Sequence, residues 1–319
     1  ASPVLSFVPS PTMAWRPRCL SLLLLLAVVG QAASQFRICA YNLQEFNKMK
    51  ASNYRVKNLL MRVLSRCHIS VLQEVMDPDG STMKSLLASL NRYEDHQYQM
   101  VSSKPLGNSP NRMQQYVFIY RSRAVNVTGQ FQYQKAQTFI RAPFAVQFQS
   151  GKTAIKKFVL VAVNTQPEQT VQEIDRLHDV FQAVSSKFNN KNVMFLGNFH
   201  AGCAYMTRAD KTRIRLFKDL NFSWLIGDKV DTTVAAETSC AYDRIVVYGK
   251  GLLKSVQPFS AKVFNINKAF KLHRDTVRAL SEHFPIEVML KSSAHLLQAL
   301  SHLTLIGISV IVCSCLLAL

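Results

Sequence analysis

Acidic residues are scarce in this 319-residue chain: 19 Asp and Glu stand against 38 Lys and Arg, for a formal charge of +19. Two of the basic residues, Arg16 and Arg18, lie near the start, so residues 35–292 keep 36 and a charge of +17. A balance that basic selects polyanionic partners: nucleic acid, anionic lipid head groups or glycosaminoglycan. Repeats, linkers and low-complexity segments are also lacking between the two ends. That leaves no seam at which to divide about 258 residues, a length compatible with one two-sheet α/β domain.

Long apolar runs are confined to the ends. After Met13 come Arg16 and Arg18, the run Leu20–Val29, then Ala32, Ala33 and Ser34. A basic flank, a short apolar core and small residues form a secretory signal, with cleavage expected near Ser34. Residues 1–12 carry no pattern. The other run, Leu303–Leu319, is 17 residues without charge, short of the roughly 20 needed to cross a bilayer. It follows the small residues Ser292, Ser293 and Ala294 and a spacer through His302, the pattern of a GPI-attachment signal. A retained tail anchor is the alternative. The expected division is therefore 1–12 extension, 13–34 signal, 35–292 domain and 293–319 anchor signal.

Few cysteines remain between these ends. Of seven, Cys19, Cys313 and Cys315 fall outside, leaving Cys39, Cys67, Cys203 and Cys240. An oxidising compartment permits disulfides, and four cysteines allow three pairings. Asn126-Val127-Thr128 and Asn221-Phe222-Ser223 are glycosylation sequons. These features place the protein in the secretory pathway, at the cell surface or in the endoplasmic reticulum or extracellular space.

Short apolar runs bounded by turn residues read as strands: Phe36–Tyr41, Ile69–Leu72, Tyr116–Tyr120, Phe144–Phe148, Phe158–Val163, Val193–Leu196, Arg244–Tyr248 and Ile286–Leu290. Helical periodicity covers Asn58–Leu64 (continuing toward Arg66), Met83–Asn91 and Val171–Phe188. Interleaved helices and strands predict an α/β fold with a large mixed sheet system. Its polar clusters sit just after strand ends, where such folds place their sites. They are Tyr41-Asn42, Gln73-Glu74-Val75, Asn164-Thr165, Gly197-Asn198-Phe199-His200, Cys240 to Arg244 and Ser281 to Pro285. Singly, each has a bland explanation, since Asn or Asp after a strand is ordinarily a turn residue.

Taken in order, these clusters resemble the DNase I family of the endonuclease/exonuclease/phosphatase superfamily. The likeness runs from Phe36-Arg37-Ile38-Cys39-Ala40-Tyr41-Asn42 to Pro285-Ile286-Glu287-Val288. It includes Leu72-Gln73-Glu74-Val75, Lys104-Pro105-Leu106-Gly107, Tyr116 to Arg121, Trp224-Leu225-Ile226, Asp231-Thr232-Thr233 and Cys240 through Val247. The terminal anchor signal looks most like the membrane-attached DNase X branch. The resemblance implies two packed mixed β-sheets flanked by helices, a four-layer sandwich with the site at one edge. It also implies hydrolysis of DNA with Mg²⁺ and Ca²⁺, with no small-molecule cofactor, by a monomer. Hard cations suit oxygen ligands, and imidazole exchanges protons near neutral pH.

Carried over by position, Glu74 is similar to the family's metal-binding Glu, with Asn42 and Glu282 as further metal-site residues. His283 corresponds to the base, and Asp243 to the carboxylate acting on the attacking water. Tyr242 and Arg141 correspond to contacts with the phosphate and DNA backbone, and Arg112 sits in the minor-groove loop. Cys203 and Cys240 match a family disulfide, which leaves Cys39 and Cys67 as buried thiols. Asp231 and Thr233 match part of a structural Ca²⁺ site. The departures lie on one side. Asn164 stands where the resemblance implies the histidine that protonates the leaving group. Asn198 replaces an Asp, His200 an Asn, and Gln114 the Glu that supports the lost histidine. A carboxamide cannot deliver a proton as an acid. The implied function is a DNA- or polyanion-binding surface protein with impaired hydrolysis. The alternatives are an active endonuclease in which His200 partly replaces the acid, and a surface interaction protein without a nucleic-acid role.

Overall fold

The computed structural model describes residues 35–135 and 138–293. The expected leader and anchor signals lie outside the described residues. Twelve strands form two mixed six-stranded sheets. The first holds β1 (Phe36–Phe46), β2 (Ile69–Val75), β3 (Tyr98–Ser102), β4 (Gln115–Arg121), β11 (Lys262–Val263) and β12 (Ile286–Leu290), in the order β11-β12-β1-β2-β4-β3. The second holds β5 (Asn126–Gln132), β6 (Phe144–Gln149), β7 (Lys157–Asn164), β8 (Val193–Asn198), β9 (Phe222–Trp224) and β10 (Asp243–Tyr248), in the order β5-β6-β7-β8-β10-β9. The expected two-sheet α/β architecture is present.

Three apolar layers hold it together. Residues of alternate parity on the strands, such as Ile38, Val71, Phe118, Phe148, Phe158, Leu160, Leu196 and Val288, meet between the sheets. The opposite parity faces helices. Tyr41, Leu43 and Leu72 pack on α1 (Tyr54–Leu64) and α2 (Ser81–Tyr93). Val159, Val161 and Phe195 pack on the Ile174, Leu177, Val180, Phe181 and Val184 stripe of α3 (Thr170–Phe188). Covered on both faces, central strands carry near-continuous apolar runs. Emptying the middle layer by Phe158→Ala should cost about 3–5 kcal/mol.

The topology determines where the site lies. β1 runs parallel to β2, with Asn42 opposite Gln73, and β7 parallel to β8, with Asn164 opposite Asn198. β12 and β10 run antiparallel to these, so their first residues share an edge with the others' last ones. Gly197 has φ +134°, and a Cβ there would lie 2.2 Å from the Val163 carbonyl oxygen, so only glycine lets β8 pass β7.

Cys203 and Cys240 are bonded, as the resemblance implies. Cys39 and Cys67 are bonded too, correcting the expectation of buried thiols. The crossover from β1 through α1 to β2 returns Cys67 beside the first strand, with the two Cα atoms 6.1 Å apart. Both sequon asparagines, Asn126 and Asn221, are exposed.

Candidate active site

Two strand irregularities open the edge. Between Leu72 and Val75, β2 carries one residue more than β4, and between Asn42 and Phe46, β1 carries two more than β2. The extra residues take left-handed backbone: Gln44 at φ 48°, Glu45 at 58° and Glu74 at 58°. Bulges of this kind re-aim side chains at sheet ends, and here the bulge presents Glu74.

Glu74 is gripped by amides. Asn42 Nδ2 donates to its Oε1 at 2.8 Å, and Asn164 Nδ2 donates to the same oxygen at 3.2 Å. Asn42 Oδ1 accepts the Gln44 N–H at 2.8 Å, which fixes the side-chain amide and leaves one lone pair of that oxygen open. So fixed, Asn42 positions Glu74. Asn164 Nδ2 also lies 3.5 Å from Gln114 Oε1, while its own Oδ1 is buried without a partner. Arg141 donates to the carbonyls of Asn164 (3.2 Å) and Thr165 (2.8 Å), anchoring the end of β7.

Across the edge, His283 Nδ1 lies 2.7 Å from Asp243 Oδ2, and both side chains are largely buried. Burial pushes the imidazole pKa down, yet the charge and hydrogen bond of Asp243, helped by Glu74 and Glu282, carry it above the ordinary histidine value. Ser281 Oγ ties this segment to β1 by donating to the Asn42 carbonyl at 2.7 Å, and it accepts the His283 N–H at 3.0 Å.

His200 is held differently. Its backbone N–H donates to Asn198 Oδ1 at 3.0 Å, which fixes the amide and aims Nδ2 at His200 Nε2, 3.1 Å away. Nε2 must therefore accept, and the ring proton sits on Nδ1, donating to Thr165 Oγ1 at 3.1 Å. Burial, with His283 and Arg141 adding repulsion, pushes the pKa down to about 3. This imidazole is neutral with both nitrogens engaged. Tyr242 and Tyr205 stand beside it, with ring centroids 5.7 and 5.2 Å away.

The remaining expected residues fall at the margin or away from it. Arg112 projects into solvent and pairs with Glu45. It borders a groove of about 560 Å³ shared with Gln114, Arg141 and Gln166. Glu282 is half exposed and pairs with Arg278 at 3.2 Å, and its charge reaches His283. Asp231 Oδ1 accepts from Thr233 N–H (2.9 Å), Thr233 Oγ1 (2.6 Å) and Cys240 N–H (3.2 Å). It closes the loop that the Cys203–Cys240 bond also closes. Sequence reading missed Lys50, whose Nζ donates to the carbonyls of Leu43 (2.9 Å) and Gln44 (2.7 Å). A lysine of a short helix reads as solvated surface, and no local signal distinguishes it.

Among the described residues, no group of three or more His, Cys, Asp and Glu converges on a metal position. One carboxylate with amide oxygens nearby still fits a hard cation such as Mg²⁺, which keeps much of its water. The orphaned Asn164 oxygen beside Glu74 supports that fit.

No protein-family model matches the chain. Deoxyribonuclease gamma of Rattus norvegicus is 38% identical over 86% of this chain and 90% of its own. Deoxyribonuclease-1-like 2 of Mus musculus is 40% identical over 88% of this chain and 100% of its own. Identity is thus nearly level across separate relatives and singles out no branch. Among solved structures, D. rerio TDP2 complexed with single strand DNA product superposes with TM-score 0.57 at 14% identity, covering 80% of this chain and 98% of that one. That likeness shows the fold.

Proposed function

The chain belongs to the deoxyribonuclease I family, and on that premise we propose a monomeric, DNA-binding protein of the secretory pathway. It is held at the cell surface by its C-terminal segment, and hydrolysis is impaired on the leaving-group side. The observation that carries this reading is the Asn164 carboxamide, clamped between Glu74 and Gln114 where a proton donor is needed.

A divalent cation (Mg²⁺ by the donor set, with Ca²⁺ the family's second ion) would be held by Glu74 and the Asn164 oxygen and would neutralise charge on the phosphate. The attacking side is intact. Asp243 accepts a hydrogen bond from the His283 Nδ1–H, which leaves Nε2 to accept a proton from water. On the other side the Asn164 carboxamide stands at the position of the acid. His200 is an imidazole at the same edge, but protonating Nε2 would set it against the Asn198 amide hydrogens. Loss of one positioned acid or base typically removes about 10²–10⁴ in rate. Binding is not touched by these changes: the charge surplus remains, and Arg112 and Tyr242 stay accessible at the edge.

Duplex binding followed by fluorescence anisotropy across a salt series, run beside plasmid nicking with Mg²⁺ plus Ca²⁺, tests the proposal. Expected are binding that weakens steeply with salt and slow nicking that EDTA abolishes. Fast EDTA-sensitive nicking would make the protein an active endonuclease. Absence of salt-sensitive binding would make it a surface interaction protein without a nucleic-acid role.

A further inference from the structure

The end of the molecule opposite the catalytic edge carries a different surface. Here β7 begins, β10 and β12 end, and the helix Lys250–Ser255 follows β10. Lys156, Lys254 and Lys291 line a groove of about 430 Å³ with Ala154, Ile155 and Gly251. No acidic residue occurs between Asp95 and Glu168 or between Asp243 and Asp275, the stretches that supply most of the groove.

On the same segment as Lys254, Leu253 is 36% exposed and Phe259 is 103% exposed. Phe259 is held outward: its φ is 57°, a conformation costly for a bulky residue. The turn that carries it is pinned to β12. Gln257 N–H donates to the Met289 carbonyl at 2.8 Å, and Ser260 Oγ accepts the Met289 N–H at 3.1 Å. The described chain also leaves here. Ser293, its last described residue, donates through N–H to the Lys152 carbonyl at 2.9 Å, and the uncharged segment 303–319 follows it in sequence.

From these three features we infer that the pole formed by Lys156, Lys254, Lys291, Leu253 and Phe259 docks on a bilayer bearing anionic head groups. Lysines engage the phosphates and carboxylates of the head groups, while the two apolar side chains enter the interface. An outward Phe on a pinned turn suits acyl chains, and basic side chains around it suit head groups. The inference rests on the membrane attachment proposed above. It deepens that reading by giving the domain an orientation, with the catalytic edge directed away from the membrane.

The test uses the full chain purified from membranes and reconstituted into phosphatidylcholine vesicles with or without phosphatidylserine. In Phe259→Trp, the introduced indole adds emission to the parent's tryptophan signal. That added emission is expected to be quenched by bromine-labelled acyl chains when phosphatidylserine is present. Lys156→Glu, Lys254→Glu and Lys291→Glu, each placed in the Phe259→Trp background, should weaken this contact by about fivefold or more. They lie on the surface, and an unchanged melting midpoint confirms folding. A vesicle-bound protein whose introduced indole stays unquenched overturns the inference. So does a lysine variant that loses DNA affinity while the indole remains quenched, which would make the pole a second nucleic-acid surface. Failure of the attachment reading shows separately, as protein that a salt wash strips completely from vesicles. Quenching of the introduced indole before that wash would still support the docking pole.

Discussion

The two halves of the candidate active-site edge are built from the same materials and hold their imidazoles in opposite ways. On one half, Asp243 holds His283 at 2.7 Å and raises its proton affinity. On the other, Asn198 and Thr165 hold His200 by both nitrogens, and burial lowers its proton affinity to a pKa of about 3. The difference is the partner: a carboxylate makes an imidazole a base, while a carboxamide and a hydroxyl keep it a neutral hydrogen-bonding strut. A histidine's presence at an active edge therefore says little until its partners are known.

That contrast can be broken most forcefully on the side proposed to keep its base. His283→Ala should lower whatever plasmid nicking the parent shows by about 10²–10⁴-fold, measured as initial rates with Mg²⁺ plus Ca²⁺. Unchanged nicking would show that His283 is no base. Next in size is the backbone that carries the neutral half. Gly197→Ala should destabilise the fold by about 3 kcal/mol in urea titration, because the added carbon meets the Val163 carbonyl at 2.2 Å.

The two imidazoles should also contribute oppositely to the pH dependence of stability, beside His68, whose pKa burial likewise pushes down to about 3. His200 is depressed, so below the ordinary pKa near 6.5 only the unfolded chain binds its proton, and stability falls as pH drops toward about 3. The slope is at most about 1.4 kcal/mol per pH unit, and His200→Asn should flatten it by one proton. His283 is raised, so its contribution is full below 6.5 and is lost as pH climbs through its folded pKa. His283→Asn should remove only that alkaline limb. The smallest effect is expected from His200→Ala on parental nicking, a change under about twofold. A large loss there would restore His200 as the acid.

Much of the frame was readable because of burial. Runs such as Phe158–Val163 are apolar on both faces, and α3 keeps a helical stripe, so pattern and structure agree. Edge elements escaped. β5 reads Asn-Val-Thr-Gly-Gln-Phe-Gln and is half exposed, and β3, β9 and β11 are short. The site's membership came from resemblance, whereas its geometry did not. Nothing in the order of residues said that Asn42 would be locked by the Gln44 N–H, or that Glu282 would turn to Arg278. The Cys39–Cys67 bond likewise depends on a crossover that only the folded chain displays.

The most direct test restores the altered half and leaves the other alone. Asn164→His, Asn198→Asp and His200→Asn, combined in one chain, should raise EDTA-sensitive plasmid nicking by about 10²-fold or more, with duplex affinity nearly unchanged. Equal nicking by parent and triple variant, with both folded, would contradict the claim that proton delivery to the leaving group is what this site lacks.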